Sequence, residues 1–282
     1  MHYRHSYHAG NFADVFKHVV LCALLGALGR KDKPWCYLET HAGAGAYDLA
    51  GEGATRTGEW RDGIGRLFAN RADEGGPLAR FLDVVSGLNG TGALQHYPGS
   101  PLFAQAFARE GDRLVFCEKV PEIAAELREN LRGERRATVH LRDGHEAHAL
   151  LPPAEKRGLV LIDPPFERAD EFDAAAELVE KSLKRFAQGV YAVWYPLKNR
   201  HAASRFERRV ARACAEPPLR FALETGAAGE GQMRACAVLV VNAPYGIADE
   251  LAPAGRRLAR ELAQGPRPSY DVSTIAASTE RG

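Results

Sequence analysis

The sequence has no cysteine pair, no excess of charge of either sign and no long unbroken apolar stretch, and each lack removes a class of protein. Its cysteines, Cys22, Cys36, Cys117, Cys214 and Cys236, are scattered, include no C-x-x-C pair and total an odd five. A disulfide framework or a thiolate zinc site needs clustered partners, so these read as reduced, mostly buried thiols. Lysine and arginine number 37 against 36 aspartate and glutamate, a formal net charge of +1. Proteins that coat nucleic acid draw their affinity from phosphate neutralisation, which this balance argues against. It leaves room for an enzyme with one local basic face. The apolar run Val19 to Leu28 is interrupted by Gly26 and is too short to span a bilayer. The polar start Met1-His2-Tyr3-Arg4-His5 lacks the pattern of a secretion signal, so the cytoplasm is the expected compartment, with no membrane partner.

With 282 residues and 45% apolar content, the chain can bury one large domain, or one domain carrying an insertion. From Asn11, a possible cap, to about Arg30, apolar residues recur with a helical period. Short apolar runs then read as buried strands: Trp35–Thr40, Leu114–Glu118, Thr138–Arg142, Leu159–Asp163, Val190–Tyr195, Phe221–Thr225 and Ala235–Asn242. Helical stretches such as Glu122–Leu131 and Asp173–Phe186 separate most of them. The alternation predicts an α/β fold, a doubly wound and mostly parallel sheet with helices on both faces. Between the first two strands, however, lie roughly seventy residues, where a crossover needs only a few dozen. That interval holds helix-like stretches around Trp60–Phe68 and Leu78–Leu88. The expected division is a main domain of residues 1–50 and 98–282 and an inserted helical subdomain of residues 51–97. After Gly265 a loosely ordered tail is expected.

The segment Leu161-Ile162-Asp163-Pro164-Pro165-Phe166 closes the fourth strand. Two prolines end the ladder and hold Asp163 extended, so its carboxylate and the Pro164 carbonyl can face one pocket as adjacent acceptors. An adenine amine needs such a pair, because its lone pair is delocalised into the ring until both N–H groups are held. Two hydrogen bonds would aim that lone pair at an incoming methyl group, and the carboxylate would stabilise the charge that develops. Phe166 would supply a stacking face for a base flipped out of its helix.

Three further strand ends fit the same chemistry. Leu38-Glu39-Thr40-His41-Ala42-Gly43-Ala44-Gly45 runs from the first strand into a glycine turn, where backbone can approach a ligand closely. It is neither the dinucleotide fingerprint nor the lysine-containing phosphate loop. Glu118 ends the second strand, suited to the two hydroxyls of a ribose, and Asp143-Gly144 follows the third, placed to accept from a cofactor's adenine amine. Each alone is an ordinary strand-end acid; together, Glu118, Asp143 and Asp163 close three strands of one sheet. Lys17-His18 and the segment Tyr3 to Asn11 interleave basic and aromatic residues, a composition suited to phosphate contact and base stacking. His2, His5 and His8 have no cysteine or carboxylate partner nearby in sequence, and no metal is expected. Arginines cluster at 128–136 and 205–212; either helix face could meet RNA, and nothing in the sequence selects one.

With these residues in place, the chain closely resembles the RlmJ family, bacterial methyltransferases of the adenine N6 amine in 23S ribosomal RNA. The resemblance runs nearly end to end. It rests on Tyr3-Arg4-His5-Ser6, His8-Ala9-Gly10-Asn11, the turn Thr40 to Gly45, Tyr97-Pro98-Gly99-Ser100-Pro101, Asp163-Pro164-Pro165 and Trp194-Tyr195-Pro196. It implies a class I methyltransferase fold, Rossmann-like with a seven-stranded sheet and a small helical insertion. It implies S-adenosyl-L-methionine as cofactor, held by His18, His41, Ser100, Glu118, Asp143, Gly144 and Asp163. Asp163, with Pro164 and Phe166, would handle the target base, and Tyr3 would touch the RNA with Arg4 beside it. At Phe166 the family usually has tyrosine, so stacking survives while any phenol hydrogen bond is lost. The implied partner is 23S ribosomal RNA before ribosome assembly is complete, met by a monomer. Two other readings stay open: a DNA adenine-N6 or small-molecule amine methyltransferase, and a nucleic-acid-binding protein without chemistry on the same fold.

Overall fold

The computed structural model describes residues 7–71, 75–90, 92–226 and 233–277; Tyr3, Arg4, His2 and His5 lie outside the described residues. Asn11 does cap the first helix. Its side chain accepts from the amides of Ala13 and Asp14 at 3.0 Å each, satisfying two donors that open α1 (Phe12–Gly29). This helix is long and apolar enough to cross a membrane by composition, longer than the run read from sequence, yet 83% of it is buried inside the protein. It is the central helix of the core.

The elements that follow are β1 (Cys36–Glu39), β2 (Ala46–Asp48), α2 (Glu52–Thr57), α3 (Ile64–Ala69), α4 (Gly76–Asn89) and β3 (His96–Pro98). Next come α5 (Ser100–Phe107), β4 (Arg113–Glu118), α6 (Pro121–Asn130), β5 (Ala137–Leu141), β6 (Gly158–Ile162), α7 (Glu171–Arg185) and β7 (Val190–Pro196). The chain ends through α8 (Arg200–Ala213), β8 (Leu219–Glu224), β9 (Ala235–Val241), α9 (Ile247–Glu261) and β10 (Ser269–Thr274). The main sheet runs β10-β8-β9-β7-β6-β1-β4-β5. From β5 to β7 every pairing is parallel, whereas β9 is antiparallel to β7 and β8, and β10 is antiparallel to β8.

The sheet therefore has eight strands, not seven. The extra one lies in the segment expected to be a loose tail. There Tyr270 and Val272 alternate with polar residues and pack on the core, while Asp271 pairs with Arg220 on the neighbouring strand. Such a short period-two signal is hard to see beside prolines and arginines.

Alternation along the buried strands divides the core between the two sheet faces. Leu159 and Leu161 of β6 point to the side packed by α1, α4, α5 and α9; Val160 and Ile162 point to the side packed by α7 and α8. The segment between β1 and β4 is closed at its base by a two-stranded ladder, Ala46 opposite Pro98 and Tyr47 opposite Tyr97. Its longest helix, α4, sends Phe81 into the same core as α1, stacked on Phe103 at 5.3 Å. At Gly63 this segment meets the start of α1 backbone to backbone. The Ile64 amide donates to the Gly10 carbonyl at 2.9 Å, and a Cβ on Gly63 would stand 2.0 Å from that oxygen. Gly63→Ala should thus lower stability by about 1–3 kcal/mol in urea unfolding, as overpacking against backbone does. An unchanged midpoint would mean the two segments do not meet there.

Candidate active site

The parallel strands β5, β4, β1, β6 and β7 all deliver their carboxyl ends to one edge of the sheet, which is where α/β folds bind ligands. Asp143, Glu118, Glu39 and Asp163 follow or end four adjacent strands along it. Because β1 lies between β4 and β6, the glycine turn after Glu39 is placed between Glu118 on one side and Asp163 on the other.

Asp163 is the residue that this arrangement singles out. Its Oδ2 accepts from the Lys17 ammonium at 2.5 Å, and the same ammonium lies 2.9 Å from Asp14 Oδ1. Lys17 is only 4% exposed. Burial alone would discharge it, but the two carboxylates outweigh that and hold its pKa well above the ordinary value. The sequence reading of Lys17-His18 as a phosphate-contacting pair is therefore overturned. Lys17 is enclosed between carboxylates, and His18 is fully buried, with Nδ1 2.8 Å from the Tyr97 hydroxyl and its ring 4.7 Å from that of Phe103.

Asp163 lines a cavity of about 570 Å³. It is lined by Pro164, Pro165, Phe166 and Trp194, by Asp14 and Lys17 of α1 with its cap Asn11, and by Thr57, Gly58 and Glu59 from the segment between β2 and β3. Phe166 sits at φ +48°, in the left-handed region that side chains rarely adopt. Its ring meets Trp194 edge-on at 5.9 Å and Phe172 at 4.9 Å. Trp194 follows Val193, the register partner of Ile162, so it stands in β7 next to the position where Asp163 leaves β6. Across the cavity, Glu59 accepts from Asn11 Nδ2 at 2.9 Å and lies 3.0 Å from His8 Nδ1, a hydrogen bond that raises the histidine pKa despite partial burial. A more open hollow of about 730 Å³ at the other end of the sheet is lined by Lys31, Lys33, Lys156 and Arg157, with none of these acceptor pairs.

On the other side of the glycine turn, the Glu118 carboxylate accepts from the Gly43 amide at 3.1 Å and the Val120 amide at 2.9 Å. Each oxygen keeps a lone pair for a further donor, as two vicinal hydroxyls would require. Gly43 and Gly45, at φ +65° and +84°, keep side chains out of that turn. Asp143 accepts from the His145 amide at 3.0 Å and lies 3.9 Å from the Lys119 ammonium. Its burial is outweighed by these groups, and its pKa is lowered. Gly144 is placed by packing: a Cβ there would stand 2.1 Å from the Thr40 carbonyl and 2.7 Å from the His41 ring. Burial drives His41 down to about 3, so it is a neutral ring, held by Thr40 Oγ1 at 2.7 Å. His41, Asp143 and His145 bring ligand atoms within 4.8 Å of one another, as a metal site would. Lys119 already faces that carboxylate, however, and His145 Nε2 lies 2.9 Å from Glu171. Ser100, 5% exposed, turns its hydroxyl onto Glu39.

The RlmJ family model, described as "Ribosomal RNA large subunit methyltransferase D, RlmJ", matches residues 32–275. A protein of Escherichia coli named "Ribosomal RNA large subunit methyltransferase J" is 45% identical over 204 residues, 72% of each chain. One of the same name from Haemophilus influenzae is 39% identical over 246 residues, 86% of this chain and 87% of that one. This chain belongs to the RlmJ family. A crystal structure of a Legionella pneumophila protein superposes with a TM-score of 0.88 at 33% identity, covering 95% of this RlmJ chain and 98% of that one.

Asp14, Glu39 and Glu59 of this chain were missed in the sequence; Asp14 becomes notable only through its ion pair with Lys17. Glu39 is completely buried, accepting from Tyr37 Oη at 3.0 Å and from Ser100 Oγ, and burial raises its pKa to about 8. The available signal was an acid closing an otherwise apolar strand. Glu59 carried no signal, because only the folded chain brings it to His8 and Asn11. A group whose pKa rises on folding stabilises in full below its unfolded value and loses that contribution as pH climbs through the folded one. Glu39→Gln should therefore flatten the fall of unfolding free energy between about pH 5 and about pH 9; parallel slopes in mutant and parent would refute the buried carboxyl. Lys17→Met leaves two carboxylates facing each other without a cation. We expect a loss of about 3–5 kcal/mol, larger at pH 8 than at pH 5 because the acids must then stay charged, as read by denaturant titration at both pH values.

Proposed function

We propose that this protein transfers the methyl group of S-adenosyl-L-methionine to the N6 amine of one adenine in 23S ribosomal RNA, with Asp163 and the Pro164 carbonyl holding that amine. The observation that carries the reading is the Asp163 carboxylate at the wall of the cavity. One of its oxygens is engaged by Lys17, which leaves the other for a substrate N–H. When bound, S-adenosyl-L-methionine supplies an electrophilic methyl on a sulfonium, a good leaving group.

The chain's own residues do the rest by position. Asp163 Oδ1 and the Pro164 carbonyl accept hydrogen bonds from the two amine N–H groups, which turns the nitrogen lone pair out of conjugation and towards the methyl. Lys17 pins the carboxylate in place, so Asp163 serves as an acceptor before transfer and need not act as a strong base. The amine becomes acidic only once the N–C bond forms, and its surplus proton then leaves through Asp163 or water. Phe166 offers a face for the flipped base, with Trp194 edge-on behind it. Glu118 suits the ribose hydroxyls of the cofactor, and Asp143 its adenine amine. His18, His41, Ser100 and Gly144 complete the cofactor side of our reading, His18 and Ser100 through Tyr97 and Glu39.

The acceptor pair reads a base edge common to RNA and DNA; family membership favours ribosomal RNA. We further propose that residues 51–97 are an inserted unit supplying the far wall of the RNA pocket, and that Tyr3 and Arg4 contact RNA. The protein would act as a cytoplasmic monomer on RNA not yet fully assembled into particles. Asp163→Asn keeps the size and one acceptor but loses the charge. Transfer from labelled S-adenosyl-L-methionine to unmodified 23S RNA should fall by about 10²–10³, while calorimetry still detects cofactor binding. Mass mapping of the RNA should place the lost methyl on one adenine. Near-parental turnover, or a methyl on any other base, would end the proposal.

A further inference from the structure

We propose that the exposed basic row of α8 is a docking strip for the phosphates of an RNA strand whose flipped base enters the Asp163 cavity. This rests on the RNA reading above and adds where the strand lies. Between Lys198 and Arg212 the chain carries six lysines and arginines against one acid, Glu207, in a protein whose net charge is only +1. That acid is buried and accepts from the Tyr195 hydroxyl at 2.6 Å. Arg200 and Arg209 are paired with Glu224 and Glu180 from neighbouring elements, which leaves Lys198, Arg205, Arg208 and Arg212 to carry the strip.

Helix geometry sorts these residues. Ala203, Phe206 and Val210, three and four apart, bury against the sheet. His201, Arg205, Arg208 and Arg212, spaced four, three and four, fall on another face, and all but the half-buried Arg208 are exposed. The row is about 16 Å long, enough to follow several phosphates. Its charge is largely unspent. Arg205 has only the exposed Asp173 at 3.9 Å, Arg208 bonds the neutral Ser204 hydroxyl at 2.7 Å, and among the described residues Arg212 has no ion pair.

The row is also continuous with the cavity. α8 begins just after β7, at the same sheet edge as Asp163, and Lys198 beside its first turn lines the cavity wall. No ion pair engages Lys198 among the described residues. The rival arginine cluster is separated by position. Arg132 and Arg136 are paired with Glu129 at 2.6 Å and with Glu134, Arg128 bonds only the neutral Val139 carbonyl at 3.0 Å, and none of these, nor the exposed Arg135, lines the cavity.

The test is the triple variant Arg205→Gln, Arg208→Gln, Arg212→Gln, assayed with an unmodified 23S RNA transcript and labelled S-adenosyl-L-methionine. We expect KM for RNA to rise about tenfold with kcat and cofactor affinity unchanged, and the slope of log binding constant against log salt to become shallower by about 2, since each phosphate contact to a single strand contributes about 0.7. The matching Arg→Lys triple should keep parental affinity and slope, and Arg128→Gln with Arg132→Gln should change neither. An unaltered RNA KM and salt slope in the glutamine triple, equal loss in the Arg128/Arg132 pair, or loss in the lysine triple would overturn the strip. Failure of the adenine reading would show separately, as persistent methylation in Asp163→Asn with the strip's effect on RNA affinity intact.

Discussion

The site depends on one buried cation between two carboxylates. Lys17 reaches Asp14, a turn earlier on its own helix, and Asp163, at the end of a strand remote in sequence. Burial works against the charge on the ammonium, and the two carboxylates offset it. The triad is also anchored to backbone: Asp14 accepts from the Gly10 amide at 3.1 Å and lies in the first turn of α1, where the helix dipole favours negative charge. Placement of the Asp163 carboxylate is thereby tied to the placement of the core's central helix. The group that our proposal assigns to the amine is set by the most deeply packed element of the fold.

The segment between β2 and β3 gains meaning from the same dependence. Its helix α4 shares the core with α1, its Gly63 lies against the backbone before Asn11, and its Glu59 binds the Asn11 side chain that caps α1. It therefore builds one wall of the cavity and also braces the helix that supplies Lys17. The two prolines after Asp163 brace the opposite wall, turning the chain so that Phe166 is held against Trp194.

Much of this was legible in the sequence where local chemistry is strong. Prolines after a strand, glycines in a βα turn and acids at strand ends mark the ligand edge before any coordinates are known, and Asn11 announces its own cap. The failures share a cause. Lys17 reads as a surface phosphate contact because helix periodicity gives a face but not the partners waiting there. Glu39 and Glu59 become notable only through Ser100, Tyr37, His8 and Asn11, which arrive from other elements. β10 was missed because six residues of weak alternation acquire their strand character from pairing with β8. Interactions between residues close in sequence could be read; interactions created by closure of the chain could not.

The Glu118 carboxylate is gripped at both oxygens by main-chain amides, one from the glycine turn it faces and one two residues on in its own loop. A side chain so tethered has little rotamer freedom left to surrender to a ligand. The entropy of aiming it is settled as the polypeptide folds, so a ribose bound there, as we propose, would meet acceptors already in place and keep more of its gross interaction energy as affinity.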